Sequence, residues 1–205
     1  MGLLPLIFTS GWASGINAYA VVLVMGLFGR YDHMTVVPPG LERTDVLVIA
    51  GVLFVIEAVA DKIPYVDSAW DLVHTVIRPI AGGVVAALIA GHAHDSLTTL
   101  GAAAVGGGTA LVSHLVKTGV RMGVNTSPEP FSNIVISMVE DLAVAGLVVL
   151  ALFHPVPAAI IAGVLLAGGV LLVLFTISRI RKFLRRRKER RAARAGLRPQ
   201  HDLVG

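Results

Sequence analysis

Asp67, Asp71, His74 and Arg78 recur at i, i+4, i+7 and i+11, a spacing that sets four ionisable side chains on one helical face over ~16 Å. His114, Lys117 and Arg121 follow at i, i+3 and i+7 on a second face. Glu57 and Asp61 form an i, i+4 pair, and Glu140 and Asp141 sit side by side in another apolar stretch. Asn17 brings an amide into a further apolar run. On a soluble helix such stripes are ordinary solvated faces. In a hydrocarbon-crossing helix each charge costs roughly 2.5–3.5 kcal/mol, so groups of this kind turn inward, pair and mark ion or proton pathways.

The candidate substrate- or ion-binding residues are therefore Asn17, Glu57, Asp71, His74, Arg78, His114, Lys117, Glu140 and Asp141. Asp61, Lys62, Asp67 and Arg121 lie nearer the ends of their runs and are expected to snorkel to the interface or brace the bundle. Six carboxylates (Glu57, Asp61, Asp67, Asp71, Glu140, Asp141) face four fixed cations (Lys62, Arg78, Lys117, Arg121), an excess of two. Buried acids without a partner hold a proton or recruit a cation, which is the elementary requirement of proton or cation coupling. His74 and His114 are of the type that titrates near neutral pH. Lys117 is expected to pair with Glu140 before any other acid.

Metal and enzyme chemistry find less support. His92-Ala93-His94-Asp95 has ligand types without a regular partner and reads as a solvated turn. The Asp67/Asp71/His74 face has the types for a divalent ion or an acid–base pair, but no motif of a phosphotransferase, intramembrane protease or lipid synthase accompanies it. No cofactor or metal is assigned. Absence of cysteine removes disulfides, thiolate metal sites and thiol nucleophiles.

The elements that must position these groups follow from composition. The chain has 205 residues, 55% hydrophobic and 15% charged, and a mean hydropathy of +0.80, outside the range of ordinary soluble domains. Apolar runs of bilayer-crossing length occur at about 3–28, 45–62, 66–91, 98–123, 131–153 and 156–177. The expected fold is all-α: a polytopic transmembrane helix bundle of about six spans in one domain, residues 1–178, followed by a basic tail, 179–205. Matches at a constant offset of 92 (Gly15, Ala18, Leu23, Val24 and Pro38 against Gly107, Ala110, Leu115, Val116 and Pro130) are a weak sign of an inverted repeat of three plus three spans.

Residues 179–205 hold eleven Lys/Arg against Glu189 and Asp202, a charge of +9, which leaves 4 − 9 = −5 for the body. Lys/Arg bias places this tail in the cytoplasm, and six spans put the N-terminus there too, in a bacterial plasma membrane. Anionic lipid headgroups are its expected partner. Without aromatic residues interleaved for base stacking, nucleic acid is not. The tail is expected to continue the sixth helix for some turns and then fray at Gly196 and Pro199.

Gly11 and Gly15 form a G-x-x-x-G face, read as close packing within the chain. Gly106-Gly107-Gly108 either breaks its helix beside a site or admits a neighbour at short range, and packing is the favoured reading.

Three stretches, Gly11-Trp12-Ala13-Ser14-Gly15-Ile16-Asn17-Ala18-Tyr19, Asp61-Lys62-Ile63-Pro64-Tyr65-Val66-Asp67 and His74-Thr75-Val76-Ile77-Arg78-Pro79, resemble the bacterial membrane-protein family described as domain of unknown function 4126. The resemblance covers most of the membrane body and not the tail. It implies a small polytopic protein and carries over no catalytic or ligand residue. The residues themselves point to a small transporter or channel-like protein with a charged cavity in the cytoplasmic half. The alternative is a non-catalytic subunit or scaffold of a larger membrane complex, with a partner protein or a second copy against it.

Overall fold

The computed structural model describes residues 3–91, 96–124 and 130–196, and the stretch His92–Asp95 and the Asp67 side chain lie outside what is described. Its elements are α1 (Leu3–Asp32), a 3-10 turn (Pro39–Glu42), α2 (Thr44–Ala60), α3 (Pro64–Ala90), α4 (Ser96–Val124), α5 (Pro130–Phe153) and α6 (Pro155–Gly196). There is no strand among the described residues. Proline opens α3, α5 and α6, where the missing N–H costs nothing because the first helical donors have no partner in any case.

Five segments are long and apolar enough to cross a membrane: Leu3–Asp32, Ala69–Ala90, Ser96–Met122, Ile134–Phe153 and Pro155–Arg191. α2, with 17 residues, is shorter; at 1.5 Å per residue it reaches about 25 Å. The protein is an integral membrane protein built as an all-α helical bundle.

The chain divides into two compact units, residues 1–169 and 170–205. In the first, α1 packs against α2, α3, α4 and α5, while α3 and α4 lie along each other. Small residues carry these contacts, as expected where lipid offers apolar groups the same surroundings as protein does. Gly11 rests on the backbone of Gly106, Gly82 on Gly106 and Ala110, and Gly15 on Ala110 and Ser113. Both glycine motifs thus serve packing within the chain, and α4 runs unbroken through Gly106–Gly108. Leu6, Ile7, Val21, Met25, Val85, Ile89, Val144 and Val148 fill the apolar core. The outward face of α2, with Val48, Ile49, Val52, Val55 and Val59, is exposed and apolar, as a lipid-facing surface is. In the second unit the helix extends to Gly196, its side chains mostly exposed as far as Arg191, with an Arg185–Glu189 ion pair at 2.9 Å and Arg179 lying 5.5 Å over the Phe175 ring.

Candidate functional site

α1 is two helical segments joined at Asn17, whose φ of −150° and ψ of 96° are extended. Asparagine is a strong helix N-cap, and Asn17 acts as one: its Oδ1 accepts the Ala20 N–H at 2.9 Å. In an unbroken helix that N–H would go to the Ile16 carbonyl four residues back. The Ile16 oxygen is instead taken by the Lys117 ammonium at 3.1 Å, and the Gly15 oxygen accepts from Arg78 Nη1 at 3.3 Å. Two cations from other helices therefore close the C-terminal end of the first segment, where the partial charge is negative. Asn17 also donates through Nδ2 to Asp141 Oδ1 at 3.0 Å, tying the break to α5.

Around Arg78 lies a group from α2, α3 and α4. Its guanidinium pairs with Glu57 Oε1 and, at 3.4 Å, with Asp71 Oδ1. Nη1 is 2.7 Å from His114 Nδ1. A guanidinium cannot accept, so Nδ1 must, and the ring proton sits on Nε2, which faces the Asp71 carbonyl at 3.2 Å and Thr75 Oγ1 at 3.1 Å. His74 is fixed by the same logic: its Nδ1 donates to the Trp70 carbonyl at 2.8 Å, leaving Nε2 to accept from the Tyr19 hydroxyl at 3.1 Å. Trp70 and Tyr19 also pack on the His74 ring, with centroids 4.9 and 5.7 Å away.

Lys117, Arg121, Asp61 and Glu140 form a second group. Lys117 Nζ lies 2.9 Å from Asp61 Oδ2 and 3.7 Å from Glu140 Oε2. Arg121 holds the same two oxygens at 3.2 and 2.6 Å and the Asp61 carbonyl at 2.9 Å. Asp61 is 2% exposed and Arg121 1% exposed, so both are central to the network and do not snorkel. Of the two expectations for residues near the ends of their runs, snorkelling or bracing the bundle, these two brace: the Asp61 carboxylate and carbonyl face α4 and hold Arg121 inside. Lys62, by contrast, turns back to the Ala58 carbonyl at 2.6 Å. Lys117 is nearer to Asp61 than to the expected Glu140.

Residues 4–174 match the family described as domain of unknown function 4126. The chain belongs to that family. No curated protein and no solved structure matches it. The matched stretch takes in every residue of both groups and stops before Arg179, so the charged network lies in the family's own domain and the basic tail outside it.

Asn17, Glu57, Asp71, His74, Arg78, His114, Lys117, Glu140 and Asp141 are thus brought together around the break in α1. Glu140, at 17% side-chain exposure, and Asp141 lie at the accessible edge, while Glu57, Arg78 and His114 are fully buried. Sequence reasoning missed Tyr19 and Thr75. Tyr19 is two residues from Asn17 and Thr75 follows His74, so the signal was adjacency to a polar site, which in an apolar span is too weak to single out a hydroxyl.

Proposed function

We propose that the chain is a multi-pass protein of the bacterial plasma membrane that couples movement of a small solute or ion to protons or cations at the network around Asn17. One observation carries this reading. Among the described residues of the network five carboxylates (Glu57, Asp61, Asp71, Glu140, Asp141) meet three fixed cations (Arg78, Lys117, Arg121), 5 − 3 = 2 in excess, and of these Glu57 Oε2 and Asp61 Oδ1 are buried with no hydrogen-bond partner. A purely structural ion-pair network gains by matching its charges and satisfying its oxygens. Surplus acid at a broken helix is what reversible uptake of a proton or cation requires.

Both termini lie in the cytoplasm in this reading, and the tail, residues 179–205, rests on anionic headgroups. The test is flux in proteoliposomes with a trapped pH dye under imposed sodium or potassium gradients. Gradient-driven pH change that is lost in folded Glu57→Gln is expected. Folded wild-type protein that moves no protons, and that instead co-purifies in fixed ratio with a larger assembly, would replace transport by the subunit reading.

A further inference from the structure

We infer that His74, with the Tyr19 hydroxyl as its adjustable partner, is the residue of the network that takes up and releases the coupled proton, while His114 stays a neutral link. The inference rests on the coupling reading above and names the proton's place in it. Both rings are buried, and they differ in what faces the nitrogen that has a lone pair to offer.

His114 is closed to a proton. Its accepting nitrogen, Nδ1, is taken by Arg78 Nη1 at 2.7 Å, and its Nε2 proton is directed at the Asp71 carbonyl and Thr75 Oγ1. A proton on Nδ1 would set N–H against N–H and a positive ring against a guanidinium. His74 is open. Its accepting nitrogen, Nε2, meets the Tyr19 hydroxyl at 3.1 Å, and a hydroxyl both donates and accepts. The step balances locally: a proton from water binds the Nε2 lone pair, the Tyr19 O–H turns its hydrogen away, and its oxygen accepts the new N–H. Nδ1–H keeps the Trp70 carbonyl at 2.8 Å throughout. Tyr19 is half-buried where His74 is 1% exposed, so the hydroxyl side is the way in from water.

The surroundings suit a charge that comes and goes. The Trp70 indole lies over the His74 ring, tilted by 34° with centroids 4.9 Å apart, where its π face attracts an imidazolium. On the same helix Asp71 favours a charged ring and Arg78 opposes it, as does Lys117 from α4. α1 presents the Tyr19 hydroxyl, and α2 presents Glu57, already engaged by Arg78. Asp71 is loosely held: its carboxylate meets Arg78 Nη1 and Thr118 Oγ1 at 3.4 Å each, longer than an ordinary hydrogen bond, so it is free to yield toward a charged His74 one turn along. Tyr19 lies two residues past the break, so the charge on His74 acts on the segment of α1 that Asn17 caps.

Trp70 reports that charge, because an imidazolium quenches the emission of an indole stacked on it more strongly than a neutral imidazole does. The chain has two tryptophans, Trp12 and Trp70, and Trp12→Phe leaves one. In nanodiscs, Trp70 emission in that background should fall as pH is lowered from about 8 to about 5. The fall should be lost with His74→Gln and kept with His114→Gln. In the unsubstituted protein one of the two tryptophan lifetimes should shorten over the same range, which decides the matter if Trp12→Phe does not fold. Steady emission and lifetimes overturn the inference, and so does a fall that survives His74→Gln. Proton flux in vesicles alongside unquenched Trp70 would remove this site and leave the coupling reading standing; quenching through His74 without flux would do the reverse.

Discussion

The Lys117 ammonium donates to the Ile16 carbonyl at the point where Asn17 takes the Ala20 N–H for itself. A helix break that would strand a carbonyl in hydrocarbon is thereby closed by a charge from α4, and the break and the charge depend on each other.

Asn17→Ala removes the cap and the Asp141 contact together. A lost N-cap costs ~1 kcal/mol, and the freed Asp141 adds to that. Asn17→Ser keeps a capping oxygen and should fall between Asn17→Ala and wild type in thermal unfolding. Equal melting of all three would mean that the side chain does not hold the break.

Gly15 and Gly108 should respond in opposite directions to alanine. A Cβ at Gly15 would overlap the Ser113 hydroxyl and the Ala110 carbonyl, whereas one at Gly108 meets nothing within 4 Å. Gly15→Ala should cost about 1–3 kcal/mol by overpacking, and Gly108→Ala should gain up to ~1 kcal/mol from helix propensity. The two melting curves, compared with wild type, decide it.

Lys117→Met strands a buried carboxylate and should cost about 3–5 kcal/mol. Because Lys117 is 2.9 Å from Asp61 and 3.7 Å from Glu140, Asp61→Asn should rescue more of that loss than Glu140→Gln does. Greater rescue by Glu140→Gln in a double-mutant cycle would reassign the partner.

Reporter fusions at His94 and at Gly205 should report opposite sides of the membrane, with Gly205 cytoplasmic. A shared side would mean an even number of spans between the two positions, so that one of α4, α5 and α6 does not cross.

Truncation after Leu184 removes most of the basic residues and should leave the melting of the body unchanged. A peptide of residues 179–205 should sediment with phosphatidylserine vesicles and come off as salt is raised, each basic residue near the surface contributing ~1 kcal/mol at low salt. A truncated chain that no longer inserts would give the tail a part in assembly.

How much was legible in the sequence divides along the range of the interactions. Apolar run length, proline punctuation and the i, i+4 and i, i+7 spacing of charges are local, and they sufficed for an all-α membrane bundle and for the inward stripes of α3 and α4. The same spacing identified most of the network, because a charge in an apolar helix has few places to go. Partner choice was not legible: Asp61 sits 56 residues from Lys117 and 60 from Arg121, and only the packing of α1, α3 and α4 through Gly11, Gly15, Gly82 and Gly106 brings their helices to charge-pairing distance. The break at Asn17 lay between the two. Its residue type permits a cap in mid-helix, but breaking the helix there strands the Gly15 and Ile16 carbonyls, and whether that is tolerable depends on cations that arrive from α3 and α4 only when the bundle is assembled.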